Sequence, residues 1–199
     1  MDLSGKTIGF GLTGSHCTLE EMMPEIKKLV NAGANVIPIV THTILTTDTR
    51  FGTSESWQEQ LRTITGNEII KSIVEAEPLG PSKKIDVMVI APCTGASTSK
   101  LANALTDSPV LMAAKAQMRN LRPVVIAIST NDGLGLNASN IAKLLSTKNI
   151  YFVPFGQDAP EKKPNSLVAR MELIKETCEE ALEGRQIQPL IVEKFRFMG

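Results

Sequence analysis

Five short apolar runs, separated by stretches of helical period, constrain this chain more than any other feature of its sequence. Thr7–Leu12, Asn35–Val40, Asp86–Ala91, Pro123–Ser129 and Ile150–Pro154 are continuous and β-rich, as expected of strands buried on both faces of a parallel sheet. Between the first two, Leu19, Met22, Met23, Ile26, Leu29 and Val30 fall at i, i+3, i+4, i+7, i+10 and i+11, one apolar stripe of a helix. Gly33 then supplies a C-terminal stop. Further helices are expected around Ser97–Leu105, Pro109–Asn120, Ala138–Ser146 and Ser166–Glu183; the last carries Leu167, Met171, Ile174, Cys178 and Leu182 at helical spacing. Alternation of this kind predicts βαβ crossovers and an α/β fold, a doubly wound parallel sheet of five to six strands. Thr43–Ser56 has no clear period and reads as a long loop. Asp158–Asn165 reads as a second, interrupted by two prolines.

Composition narrows the function classes. The chain has 199 residues, 21 basic and 21 acidic, for a formal net charge of zero. A nucleic-acid binder would usually carry a basic excess. A membrane span needs about 20 consecutive apolar residues, whereas the longest runs here resemble Val87–Ala91 and Val124–Ile128. The opening Met1-Asp2-Leu3-Ser4-Gly5-Lys6 lacks the pattern of a signal peptide. Three widely spaced cysteines, Cys17, Cys93 and Cys178, without a CxxC pair, argue for a reducing compartment and against a disulfide framework or a metal site. These features predict a soluble cytoplasmic protein with no nucleic acid, membrane or metal partner. They also predict one domain over 1–199, with a C-terminal helix and tail from about 166.

Ligands of doubly wound sheets sit beyond the carboxyl ends of the strands, and three loops there carry the chemistry. The first is Gly9-Phe10-Gly11-Leu12-Thr13-Gly14-Ser15. Glycines permit close backbone approach, and a helix N-terminus offers unpaired N–H groups to a phosphate; the other reading is a tight structural turn. The second, Ala91–Lys100, is rich in hydroxyls (Thr94, Ser97, Thr98, Ser99), with Cys93 and Lys100 at its two ends. Its alternative is an N-cap. The third, Ser129-Thr130-Asn131-Asp132-Gly133-Leu134-Gly135, is a ligand loop or a turn. His16 and His42, the only histidines, follow the first and second strands and are candidates for a base or an anion partner. Cys93 at a helix N-terminus is a candidate thiolate, its alternative being a small packing residue.

Taken together, Gly11–Ser15, the stretch from Asp86 through Ala91-Pro92-Cys93-Thr94 to Lys100-Leu101-Ala102-Asn103, and Arg122–Ala127 resemble the flavoprotein family. This is the group of homo-oligomeric, FMN-binding cysteine decarboxylases that also includes flavin prenyltransferases. The resemblance spans roughly residues 5–155. It implies a Rossmann-like fold, FMN held by Gly11, Thr13, Gly14, Ser15, Thr41, Ala91, Pro92, Thr94, Ser97 and Lys100, and substrate contacts from Cys93, Asn131 and Lys163. It also implies a trimer or dodecamer. The chain departs from the family at Ile128-Ser129-Thr130-Asn131, where only the asparagine of a Pro-Ala-Met-Asn loop is kept, and at Ala96-Ser97, where Asn-Thr is usual. It also departs at Ala76-Glu77-Pro78-Leu79, which lacks the decarboxylases' histidine, and that argues against cysteine decarboxylation.

Ile128–Leu136, Asn149–Asp158 and Lys163–Ala169 are similar to one subunit type within the family. That likeness implies a sporulation enzyme of the mother cell, working on a small ring-shaped dicarboxylate with a dehydrogenase-like partner that carries NAD(P). Lys100, the Ser15 turn and Lys162 or Lys163 would meet the dianion. His16 or Asp132 would act as the base that ring oxidation needs. Two other readings stay open: a stand-alone FMN enzyme, and a non-catalytic assembly protein that uses Leu190–Val192 and Phe195, Phe197 and Met198 as its contact surface.

Overall fold

The computed structural model describes residues 3–14 and 16–192, without the side chains of residues 16 and 17. Seven strands form one sheet: β1 (Thr7–Leu12), β2 (Asn35–Val40), β3 (Val87–Cys93), β4 (Val124–Thr130), β5 (Ile150–Phe152), β6 (Phe155–Gly156) and β7 (Leu167–Ala169). The path runs β2-β1-β3-β4-β7-β6, with β5 also on β4. The pairs β1–β2, β1–β3, β3–β4 and β4–β5 are parallel. The free side of β4 is divided between two partners: Val124–Ile126 pair with β5, and Ser129 and Thr130 pair with β7.

Nine α-helices connect these strands among the described residues: α1 (His16–Asn31), α2 (His42–Thr46), α3 (Ser54–Thr65), α4 (Ile73–Ala76), α5 (Leu79–Ser82), α6 (Gly95–Ala102), α7 (Pro109–Arg119), α8 (Ala138–Leu145) and α9 (Ile174–Leu182). The α1 stripe is the expected one. Leu19, Met22, Met23, Ile26 and Leu29 are buried, and the helix ends at Gly33, whose φ of 84° is the left-handed conformation glycine adopts freely. Helix α1 packs on α3 and α9, while α7 touches β1, β2, β3 and β4 and packs against α4 and α5. Every residue of β3 is buried, as a strand covered on both faces must be.

Three expectations need correction. The sheet is mixed, not wholly parallel, because the β6–β7 hairpin pairs antiparallel with β4 and within itself. The expected helix over Ser166–Glu183 exists only as α9. Leu167–Ala169 is a strand, and Met171–Leu173 is a turn of 3₁₀ helix. A spacing of i, i+4 puts Leu167 and Met171 on one helical face, but a three-residue strand needs no periodicity of its own, and free positions on β4 and β6 recruit it. The expected loop Thr43–Ser56 contains α2 and the start of α3, whose N-cap Thr53 accepts from the Ser56 N–H. Serine and threonine there mark helix starts.

The outer edges of the sheet are closed by short pieces of chain. On β2, Ile70 accepts from the Val40 N–H and donates to the Pro38 carbonyl. On β5, the Gln186 side chain does the same work: its Oε1 accepts from the Phe152 N–H (2.8 Å) and its Nε2 donates to the Phe152 carbonyl (2.7 Å). On β6, Phe155 donates to the Leu190 carbonyl and accepts from the Val192 N–H.

Candidate functional site

The carboxyl ends of β1, β2, β3 and β4 lie side by side, and their loops are tied together by side chains distant in sequence. Thr13, which follows β1, is buried. Its hydroxyl donates to the Pro92 carbonyl (2.7 Å) and accepts from the Thr94 N–H (3.2 Å), so it serves as a rivet between the first and second loops. Gly14 lies against Thr43, whose Cγ2 would be 3.2 Å from an added Cβ; this brings the start of α2 beside the first loop. Thr41 joins the same junction, donating its N–H to the Leu12 carbonyl. The Thr41 hydroxyl is buried and has no hydrogen-bond partner among the described residues. A buried hydroxyl left unpaired is costly.

Gly9 and Gly11 have a different role. Both lie inside β1. A Cβ on Gly11 would stand 2.7 Å from Val110 Cγ1, 2.8 Å from Met88 Cε and 3.1 Å from the Val89 carbonyl oxygen. Gly11 therefore lets α7 and β3 approach β1, which is a packing task and not contact with a phosphate.

Helix α6 starts from the second loop. Thr94 caps it, accepting from the Ser97 N–H (3.3 Å) and donating to Ser97 Oγ (3.1 Å); the proton of the Ser97 hydroxyl stays available to a ligand. Cys93 ends β3 fully buried, its Sγ 3.4 Å from Thr98 Oγ1. Burial pushes its thiol up to about 12, against a smaller lowering by Thr98. Burial likewise raises the Cys178 thiol. Neither is a nucleophile at neutral pH, since the thiolate is the reactive form. Iodoacetamide at pH 8 is expected to leave Cys93 and Cys178 unmodified in the native protein and to label both in denaturant, as read by peptide mass mapping. Lys100, in the last turn of α6, directs its ammonium to Asp107 Oδ2 at 2.6 Å.

The β4–α8 loop forms one wall of a cleft of about 500 Å³ lined by Gly95, Ala96, Ser99, Thr130, Asn131, Asp132 and Asn137. Asp132 is its fixed point. The Thr130 hydroxyl donates to Asp132 Oδ1, and Asn137 Nδ2 donates to Oδ1 (3.0 Å) and Oδ2 (2.9 Å). Asn137 is oriented in turn by Asn140 Nδ2 (2.9 Å), and Asn140 by Asn103 Nδ2 (3.2 Å). The Thr130 and Asn137 bonds hold the Asp132 carboxyl below the usual aspartate range. It is thus ionised across the physiological range and a weaker base than an ordinary aspartate. Asn137 and Asn140 were not among the expected site residues. Their Asn-x-x-Asn spacing at the start of α8 was the available signal, and it reads equally well as helix capping.

The remaining candidates are dispersed. His42, at the first position of α2, is exposed. Residue His16 begins α1, with its side chain outside the described residues, as are Ser15, Phe195, Phe197 and Met198. Lys163 sits in the β6–β7 loop 3.8 Å from Asp158, away from the residues that line the Asp132 cleft. Lys162 instead borders a second, larger cavity of about 890 Å³, whose walls include Leu134, Gly156, Leu167 and Ile191. Among the described residues, no group of three or more His, Cys, Asp or Glu side chains could hold a metal, and no helix is long and apolar enough to cross a membrane.

Comparison with known proteins places this geometry in context. The model of the flavoprotein family matches residues 1–194. The chain is 61% identical over 194 residues to the B-type subunit of dipicolinate synthase of Bacillus subtilis (strain 168), covering 98% of this chain and 97% of that protein. The crystal structure of the B-type subunit of dipicolinate synthase from Bacillus halodurans superposes with a TM-score of 0.91 at 61% identity, over 98% of this chain and 100% of that one. Burkholderia xenovorans DmrB, solved in complex with FMN and described as a cubic protein cage for redox transfer, shares the fold at 16% identity. Its TM-score is 0.65, over 89% of this chain and 96% of that one.

Proposed function

The chain belongs to the flavoprotein family, and from that premise we propose that it is the B-type subunit of a dipicolinate synthase and holds FMN where the β1, β2 and β3 loops meet. The observation that carries the cofactor reading is the Thr41 hydroxyl, buried and unpartnered beside the Leu12–Gly14 turn. A flavin phosphate or ribityl oxygen would give that hydroxyl its missing partner. Gly14, Thr41, Thr94 and Ser97 contribute the backbone and hydroxyl groups, with Ser15 joining them. Gly11, Thr13, Ala91 and Pro92 shape the cradle from behind. When bound, FMN supplies a two-electron acceptor.

The likeness to proteins named as one lettered component of a synthase supports a partnered enzyme. In this reading a dehydrogenase-like A-type partner carries NAD(P), and the pair oxidises a cyclic dihydrodipicolinate-type acid to the aromatic dicarboxylate during sporulation. The setting is the mother-cell cytoplasm, and the protein assembles as a homo-oligomer, a trimer or dodecamer. Oxidation to an aromatic ring removes a hydride and a proton, and the acid must be held still while both leave. Asn131, on the wall of the Asp132 cleft, borders the ring position. The low basicity of Asp132 leaves His16 as the stronger candidate for the base.

The test is a titration of the purified protein with FMN, followed by quenching of flavin fluorescence. Saturable micromolar binding is expected. Thr41→Val should weaken it about tenfold, the worth of one hydrogen bond to a charged group, without lowering Tm, because the substitution removes an unpaired buried hydroxyl. Absence of saturable binding would overturn the cofactor reading.

A further inference from the structure

We propose that the Asp132 cleft recognises a proton-bearing nitrogen attached next to a carboxylate, the amino- or imino-acid end of a small cyclic acid, with Asp132 accepting from that nitrogen. The inference rests on the proposed cyclic dicarboxylate substrate and assigns which of its groups this cleft selects.

Charge is the first argument. Of the residues lining the cleft, Gly95, Ala96, Ser99, Thr130, Asn131 and Asn137 are uncharged, so Asp132 alone sets its sign. Lys100, which follows Ser99 on the same helix α6, is engaged by Asp107. A ligand offering only carboxylates would meet like charge here, and like charges at close range repel. A ligand offering an N–H or ammonium meets an acceptor.

Hydrogen-bond capacity is the second. An ionised carboxylate accepts at about four lone-pair positions. Oδ1 takes both the Thr130 hydroxyl and the Asn137 amide, whereas Oδ2 takes the Asn137 amide alone among side-chain donors. Capacity therefore remains on Oδ2. The chain of amides from Asn137 through Asn140 to Asn103 fixes the orientation of the carboxylate before any ligand arrives, and pre-organisation of this kind lowers the cost of binding.

The opposite wall supplies the complement. A Cβ on Gly95 would lie 2.8 Å from Asp132 Oδ1, so the first turn of α6 abuts the carboxylate. The Ser97 and Thr98 N–H groups are taken by the Thr94 hydroxyl and carbonyl, which leaves those of Gly95 and Ala96 as the first-turn donors without an intrahelical partner. Donors for a carboxylate thus stand beside an acceptor for a nitrogen, matching two groups one carbon apart.

Two probes separate the ideas by calorimetric titration at pH 7. Piperidine-2,6-dicarboxylate carries a ring ammonium, while pyridine-2,6-dicarboxylate has the same carboxylates but an unprotonated ring nitrogen. The protein is expected to bind the piperidine at least about tenfold more tightly, the scale of one charge-assisted hydrogen bond. In Asp132→Asn the preference should fall to within about threefold of parity, with FMN affinity unchanged. No binding of either probe, equal affinities in the wild-type protein, or equal losses for both probes in the variant would overturn the proposal. The last result would mean that Asp132 serves only to support α6. The wild-type ratio decides even where the variant does not fold. Loss of FMN binding with the piperidine preference intact would sink the cofactor reading and leave this inference standing.

Discussion

Gly11→Val is expected to unfold well below the wild-type protein, with Tm reduced by roughly 6–12 °C in scanning calorimetry. That follows from about 3 kcal/mol of overpacking and a few degrees per kcal/mol for a chain of this size. The upper end of the overpacking range applies because the new side chain would meet Val110 on one side and Met88 on the other, and the nearby Val89 carbonyl oxygen belongs to the backbone. Gly14→Ala is the control. Its Cβ would meet only the Thr43 side chain, at 3.2 Å and beyond, so its Tm should stay within about 2 °C. The reverse result, with Gly11→Val folding normally but failing to bind FMN, would return Gly11 to the ligand and remove it from the packing of β1.

The second large effect is Phe152→Ala, expected to cost about 3–5 kcal/mol and to lower Tm by on the order of 10 °C. Phe152 is fully buried, with its ring centroid 5.8 Å from that of Phe155. Its backbone is gripped by β4 on one side and by the Gln186 amide on the other. Strand β5 therefore cannot slide inward to fill the space a truncated side chain leaves, and a site that cannot collapse sits at the costly end of the range. A loss under about 1 kcal/mol in denaturant titration would show that the surrounding residues rearrange after all.

The parallel core of the fold was legible because it follows from local pattern. Thr7–Leu12 and Asn35–Val40 are strands to the residue, and β3 and β4 differ from Asp86–Ala91 and Pro123–Ser129 only at their ends. The α1 stripe and Gly33 were equally plain. The β6–β7 hairpin was not, since three residues such as Leu167–Ala169 carry too little pattern to outweigh a helical spacing that continues into α9. Pairing with Ser129 and Thr130, nearly forty positions earlier, is what makes them a strand.

The candidate site divides in the same way. That the loops after β1, β3 and β4 share an edge follows from the alternation of elements. What each side chain does there depends on partners far along the chain. Thr13 looked like a hydroxyl for a phosphate until its bond to the Pro92 carbonyl, 79 positions away, turned it inward. Lys100 looked like a cation for the cleft, but Asp107 draws it off. The role of Asn137 is invisible in sequence because nothing local to it announces that Asp132, five positions earlier, needs holding.

The closed margins of the sheet carry a consequence for the protein in solution. A bare outer strand shows a row of unpaired N–H and C=O groups to any other chain, and long exposed edges are where intermolecular growth begins. Here the outer face of β2 meets Ile70, that of β5 meets one glutamine side chain, and that of β6 meets Leu190–Val192. Among the described residues none of the three covers is itself a long strand. Capping of this kind lowers the tendency of two copies to pair edge to edge through their sheets.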